Sequence, residues 1–175
     1  MTSFTNPDLS WTPVQLHDAL NSSAFDEGNL KVMDVRLGED YATGHIPGAI
    51  HFSTYALNTY DTDPAPLRSF THMWAFLLAQ RGIGPQHELV VYEDSSGMNA
   101  ARALWFLEYL GYPRVHILDG GLNAWREQGY DITQAAQAPK SIACNYEVQP
   151  HRVATYLDVL DAIDNPETII LDTRS

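Results

Sequence analysis

The sequence contains very little cysteine, since Cys144 is the only one among its 175 residues. One thiol cannot form a disulfide within the chain, and it cannot build a zinc site from several cysteines. Long apolar runs are also missing: the longest, at residues 103–107, is far too short to cross a bilayer. The sequence therefore predicts a domain with no disulfide framework, no metal cluster and no membrane partner.

Basic residues are scarce as well. The chain has 10 Lys and Arg against 22 Asp and Glu, a formal net charge of −12. Binding to nucleic acid needs basic side chains that neutralise phosphates, so we expect no nucleic-acid partner. The first residues lack the basic patch and apolar stretch of a secretory signal, which makes the cytoplasm the expected compartment.

Hydrophobic residues make up 45% of the chain, enough to bury a core, and they follow a regular order. The pattern predicts helices over 13–20, 70–81, 98–110 and 122–128, and strands over 30–35, 49–52, 88–92 and 115–118. Residues 53–69 are predicted to form a long polar loop, with Ser69 capping the helix that follows. Alternating strands and helices predict an α/β fold with a mainly parallel sheet and helices on both faces.

The pattern changes after residue 130. Residues 131–150 have the composition of a linker, and residues 151–175 start a new helix at 152–163 and a new strand at 168–172. Near its end the sequence reads Asp172-Thr-Arg174, which repeats the pattern of Asp34-Val-Arg36. We therefore predict a first domain over 1–130, a linker over 131–150, and over 151–175 the truncated start of a second copy of that domain.

Several short motifs are individually weak. Asp34-Val-Arg36 could be an ordinary ion pair at a strand end, and the other motifs could be simple turns. Their order, however, resembles the rhodanese-like sulfurtransferase family. The matching residues are Asp34, Arg36, His45, Pro47, Gly48, Asp119, Gly120, Gly121 and Trp125. The resemblance implies a rhodanese-like three-layer α/β fold and the tandem layout of thiosulfate and 3-mercaptopyruvate sulfurtransferases, whose second domain carries the catalytic cysteine.

The family moves a sulfane sulfur through a cysteine persulfide on a loop between a strand and a helix N-terminus. The matching loop here contains no cysteine and reads Glu93, Asp94, Ser95, Ser96 and Gly97. It is also one residue longer than the active pattern Cys-x-x-Gly-x-Arg. We therefore expect no catalytic residue in this chain. Two interpretations of the loop stay open: its carboxylates and serines cap the next helix, or a carboxylate occupies the N–H cradle in place of a persulfide.

Other candidate sites have less support. Cys144 lies in the linker with no helix N-terminus to lower its pKa, so we do not expect it to be a catalytic thiol. No histidine pair has metal-ligand spacing, so we expect no metal site. We expect no cofactor either. The related phosphatase chemistry also needs the loop cysteine, and Arg102 is expected to be an ordinary ion-pairing residue. In the mercaptopyruvate branch of the family, this long loop supplies an Asp and a His near the active site. Asp61 and Asp63 have no histidine beside them in the loop here. The resemblance therefore implies thiosulfate as the default donor.

Two functions follow from the resemblance. In the first, the chain is the non-catalytic amino-terminal half of a sulfurtransferase, inactive alone, which supports and walls the active site of a missing second rhodanese-like domain. In the alternative, it is a stand-alone inactive rhodanese module that acts in binding or regulation. Under either hypothesis the apolar residues of 152–175 lack a domain of their own, and self-association through this segment is expected.

Overall fold

A parallel sheet of five strands forms the centre of the protein. The computed structural model describes residues 9–55 and 57–172. Its strands are β1 (Ser10–Trp11), β2 (Leu30–Asp34), β3 (Ile50–His51), β4 (Glu88–Tyr92) and β5 (Val115–Leu118). They lie in the order β1-β5-β4-β2-β3, and every neighbouring pair is parallel. Parallel neighbours need crossover connections, and the helices between the strands supply them.

Within the described ranges, seven helices accompany the sheet. They are α1 (Pro13–Leu20), α2 (Ser23–Asp26), α3 (Gly38–Thr43), α4 (Pro64–Gln80), α5 (Met98–Tyr109), α6 (Gly121–Glu127) and α7 (Tyr156–Ala162), with a 3-10 turn at Pro150–Arg152. The start of α1 shows how the sequence sets a boundary. The Thr12 hydroxyl accepts a hydrogen bond from Gln15 N, and the Gln15 side chain accepts one from Thr12 N. This capping box satisfies two backbone donors that the helix itself cannot pair.

Each face of the sheet carries its own hydrophobic core. Alternate strand residues point to opposite faces, so Met33 and Val91 join the core under α4 and α5. Val32 and Val90 join the core under α1 and α6. All four residues are fully buried, each with 0% of its surface exposed. The predicted α/β architecture, a parallel sheet with helices on both faces, is confirmed.

The prediction of a polar loop over 53–69 was wrong for its last part, residues 64–69. α4 begins at Pro64, five residues before the predicted cap at Ser69, and Asp63 is its N-cap residue. Proline is favoured in the first turn of a helix because its missing N–H would have no partner there. The first turn of α4 lies largely in solvent, so it carries no apolar periodicity from which its start could be predicted.

The end of the chain also differs from the prediction. Helix α7 covers only 156–162, and residues 168–172 form no strand within the described ranges. Ile169 is 84% exposed and Leu171 is 80% exposed. A strand forms only beside another strand, and no described strand lies next to this segment. Arg174, the last member of the repeated motif, lies outside the described residues.

Within the described ranges, no helix has the length and apolarity that a bilayer crossing requires.

Candidate functional site: the loop after β4

The candidate site lies at the edge of the sheet where the parallel strands end. Residues 93–97 leave β4 there, beside the end of β2, and Asp34 and Tyr92 are register partners across the two strands. Binding and catalytic residues of open α/β sheets gather at this carboxyl edge. The loop therefore has the position that the sequence predicted for it, between β4 and α5.

Asp34 and Arg36 form the buried base of the site. Arg36 Nη2 lies 2.6 Å from Asp34 Oδ2 and Arg36 Nε lies 3.0 Å from Asp34 Oδ1. The side chain of Arg36 is 5% exposed and that of Asp34 is 0% exposed. Tyr92 donates its hydroxyl to Asp34 Oδ2 at 2.7 Å and accepts a bond from Ile46 N at 3.1 Å. Asp34, Arg36 and Tyr92 thus form a buried hydrogen-bonded network rather than a surface ion pair.

Arg36 also ties three parts of the chain together. Its Nη1 donates to Asp94 Oδ1 at 3.1 Å and its Nη2 to Gly44 O at 2.9 Å. Burial lowers the pKa of Arg36, but the bond to Asp34 and the charges around it outweigh this and raise the pKa above its usual value. Burial, with the charge of Asp34, raises the pKa of Tyr92. Arg36 is therefore a permanent cation that two carboxylates already neutralise.

The Glu93 side chain caps the N-terminus of helix α5. Its Oε1 accepts a hydrogen bond from Ala100 N at 2.9 Å, and its Oε2 accepts one from Asn99 Nδ2 at 3.3 Å. Ala100 is the third residue of α5, so its N–H is one of the donors that no helical carbonyl can reach. The Glu93 carboxylate thus caps the helix at one backbone N–H, as the capping interpretation predicted for it, while its role in place of a persulfide stays a prediction.

The other polar residues of the loop do not cap α5. Asp94 pairs with Arg36, and its side chain is 57% exposed. Ser96 Oγ accepts a bond from Gly120 N at 2.8 Å and donates to Asp119 Oδ1 at 3.2 Å. The expectation that carboxylates and serines together cap this helix therefore holds for Glu93 but not for Asp94 or Ser96.

Helix α6 holds the loop backbone from the other side. Leu122 N donates to Glu93 O and Asn123 N donates to Asp94 O, both at 2.9 Å. Gly121 makes this approach possible: its φ is +59°, and a Cβ built there would lie 2.3 Å from Glu93 O. The Asp-Gly-Gly turn was predicted only as a helix start. Its contact with the loop was missed, and the double glycine was the signal for it.

The remaining motif residues support the fold around the loop. His45 is 0% exposed, its Nδ1 lies 2.8 Å from Tyr41 O, and its ring stacks on that of Tyr41. Trp125 is buried and donates its Nε1–H to Asp131 O at 2.8 Å. Pro47 and Gly48 belong to the same turn as His45, and Gly48 lies against the ring of Phe25. None of these side chains forms a described bond with the loop.

The weaker candidates lie elsewhere. Arg102 donates to Thr54 O at 3.2 Å, and among the described residues no ion pair of Arg102 is seen. Asp61 Oδ1 accepts a bond from Asp63 N at 2.8 Å, a contact inside the turn that precedes α4. Cys144 is half-buried and packs on the core under α4 and α5. Among the described residues, no three His, Cys, Asp or Glu side chains come together in a way that could hold a metal ion.

Comparisons with known proteins agree with this geometry. The model of the family "Rhodanese-like domain" matches residues 13–128. The chain is 30% identical over 162 residues to the 3-mercaptopyruvate sulfurtransferase of Escherichia coli K12, covering 92% of this chain and 55% of the relative. It is 29% identical over 171 residues to the thiosulfate sulfurtransferase of Azotobacter vinelandii, covering 96% and 62%. The chain thus spans little more than half the length of these relatives.

The fold is shared with a solved structure. The crystal structure of SseA, a 3-mercaptopyruvate sulfotransferase from Escherichia coli, superposes with a TM-score of 0.71 and 26% sequence identity, covering 88% of this chain and 61% of SseA. Fold, motifs and family match lead to the same conclusion. The chain belongs to the rhodanese-like sulfurtransferase family.

Proposed function

We propose that this chain is the non-catalytic amino-terminal half of a sulfurtransferase. It forms one wall of an active site whose thiol comes from a second rhodanese-like domain, and thiosulfate is the donor. The Glu93 carboxylate carries this proposal, since it stands directly after β4 and binds Ala100 N at 2.9 Å. That position follows the strand where the family's active pattern has its cysteine.

The chemistry of the loop supports an inactive role. Sulfane-sulfur transfer needs a thiolate that attacks thiosulfate, releases sulfite and passes the sulfur on to an acceptor. A carboxylate does not accept and pass on sulfur in this way. The charges of Glu93 and Asp94 also repel an anionic donor, and Arg36 is already paired with Asp34 and Asp94. The second domain would have to supply both the thiol and the cations.

Complementation in trans tests this function. The 175-residue chain is mixed with a separately folded rhodanese-like domain that carries the loop cysteine, taken from the carboxyl-terminal half of a tandem sulfurtransferase. Thiocyanate formation from thiosulfate and cyanide is then measured, with 3-mercaptopyruvate as the donor in a parallel reaction. We expect the mixture to exceed the cysteine domain alone by at least about tenfold with thiosulfate. No stimulation by a correctly folded chain would contradict the proposal.

A thiol placed in the loop should not restore activity. We expect Glu93→Cys to remain at least about 10³-fold below an active rhodanese-like domain, because a nucleophile also needs an activating environment. The variant loses the α5 cap, keeps the extra loop residue, and gains no cation beyond Arg36. Glu127→Cys, on the exposed side of α6, gives the matched background of a surface thiol. Full turnover by Glu93→Cys alone would contradict this expectation, since it would show that the loop already provides the activating environment and lacks only the thiol.

Self-association through the end of the chain is a further part of the proposal. The apolar side chains from α7 onward are between 41% and 84% exposed: Tyr156, Leu157, Val159, Leu160, Ile163, Ile169, Ile170 and Leu171. So many exposed apolar side chains within one short segment are typical of an interface. In the absence of the second domain, we expect a second copy to cover it.

Sedimentation measures this association. We expect the average mass of the 175-residue chain to rise with concentration, and Leu160→Lys to reduce the rise. Val14→Lys replaces another exposed apolar residue, on α1, and should leave the association unchanged. A chain that stays monomeric at every concentration would show that residues 156–171 are not an interface between copies.

A further inference from the structure

The segment predicted to be a linker lies against the first domain. We call residues 138–149 the strap. The last carbonyls of a helix have no N–H inside the helix to pair with. Backbone N–H groups of the strap donate to carbonyls at the ends of α4 and α5: Ile142 to Ala79 at 2.9 Å, Glu147 to Leu110 at 3.3 Å and Gln149 to Tyr109 at 2.8 Å. The strap therefore follows a fixed course across two helix ends.

Two glycines make room for this course. They follow the ends of α4 and α5 with φ angles of +70° at Gly82 and +81° at Gly111. A Cβ would lie 2.7 Å from Lys140 O at Gly82 and 2.4 Å from Glu147 O at Gly111. The glycines thus end the helices and also allow the strap backbone to pass closely over them. Such contacts are not those of a flexible tether.

A second set of contacts fixes the chain just after the strap. Trp105 and Glu108 lie three residues apart on α5, so their side chains share one face of the helix. Trp105 Nε1 donates to Arg152 O at 2.8 Å. Arg152 Nη1 lies 2.7 Å from Glu108 Oε2. We call Trp105 and Glu108 the seat, because together they hold Arg152 by its backbone and its side chain.

The start of α7 is fixed only four residues later. Thr155 and Asp158 form a capping box that starts the helix, and Tyr156 N donates to Thr62 Oγ1 at 3.0 Å. Hydrogen bonds from the hydroxyl and then the backbone N–H of Thr155 lower the pKa of Asp158. Arg152 and Tyr156 are therefore attached to two separate parts of the first domain, α5 and the turn before α4. Two attachments this close in sequence fix where α7 starts and restrict the directions in which it can extend.

We propose that the seat is a positioning site, through which the first domain sets the orientation of α7 and of whatever α7 contacts. An unstructured linker of the same length would let its ends drift apart by about 20 Å. The backbone bonds of the strap and the seat together remove this freedom before any partner binds, and the seat is the fixed point nearest to α7 on the strap side. Fixing these residues in advance lowers the entropic cost of docking. The proposal deepens the proposed function, since α7 opens the predicted second domain. It nevertheless concerns contacts within this chain and can fail separately.

The test compares the 175-residue chain with the double variant Trp105→Phe/Glu108→Ala. Phe keeps the ring and removes the donor, while Ala removes the charge and suits a helix. Glu127→Ala on α6 is the matched control, because it removes an exposed glutamate from another helix. Residual dipolar couplings report the orientation of α7 relative to the sheet, and amide exchange reports the bond between Tyr156 N and Thr62.

In the unchanged chain and in Glu127→Ala, we expect the α7 couplings to fit the alignment tensor of the sheet. In the double variant they should shrink and cease to fit, while the sheet couplings stay the same and show that the domain is folded. Exchange of the Tyr156 amide should become about ten- to thirtyfold faster. This amide touches neither substituted residue, so loss of local packing alone would not affect it.

Either of two results overturns the proposal. One is that α7 couplings in the unchanged chain already fail to fit the tensor of the sheet. The other is that the double variant leaves the couplings and the Tyr156 exchange unchanged. Neither result depends on sulfur transfer, so the outcome is separate from that of the complementation experiment.

Discussion

Replacing Arg36 by Met is expected to lower the free energy of unfolding by about 3–5 kcal/mol. Met fills much of the volume but carries no charge, so Asp34 would stay buried at 0% exposure without its cation. Among the described residues, Tyr92 and the backbone N–H of residue 36 would be its remaining donors. Breaking a buried ion pair from one side costs far more than the net value of the intact pair.

Urea denaturation of the variant and the unchanged chain measures this loss. Arg68→Met is the matched control, because Arg68 lies exposed on α4 and its replacement should change stability by about 0.5 kcal/mol or less. Equal effects of the two substitutions would show that the network of Asp34, Arg36 and Tyr92 contributes no more than an ordinary surface contact.

Gly121→Ala is the second large effect. We expect it to lower the free energy of unfolding by about 2–5 kcal/mol, from a left-handed φ together with a steric clash. The new Cβ would lie 2.3 Å from Glu93 O and 2.8 Å from Ser95 N. Both are backbone atoms of the loop, so no side-chain rotation can relieve the contact. Either the loop or α6 has to move.

Gly129→Ala separates the two causes. Gly129 has φ +75° and nothing within 4 Å of the Cβ position, so it retains the conformational cost alone. Thermal or urea unfolding should show a loss of about 1–2 kcal/mol for this variant. The difference between the two variants measures how tightly α6 packs on the loop. If the two losses were equal, this packing would be absent.

Much of the fold could be predicted because its signals are local. The apolar run of β4 and the Thr12 capping box each lie within a few residues, and the structure confirms both. The start of α4 was missed because its first turn is exposed. Residues 168–172 have the composition of a strand but form none, because pairing depends on a neighbour that composition does not supply.

The position of the site could be predicted from the sequence, but the contacts between its residues could not. The order of motifs placed the loop between β4 and α5, where the structure has it. The bond from Tyr92 to Asp34 joins residues 58 apart in sequence and arises from the register of β2 and β4. The contact of Gly121 with Glu93 likewise depends on how α6 packs on the sheet. The bond from Tyr92 to Asp34 leaves no local pattern in the sequence, whereas the double glycine indicates a close approach at Gly121 without showing that Glu93 is the partner.

The most direct test of the account is a steady-state assay of the purified 175-residue chain with thiosulfate and cyanide. The preparation must be free of contaminating sulfurtransferase, which a parallel purification of Arg36→Met can monitor. We expect no thiocyanate above background, because the loop presents Glu93 and Asp94 and no thiol. Repeated turnover by the chain alone would contradict the account.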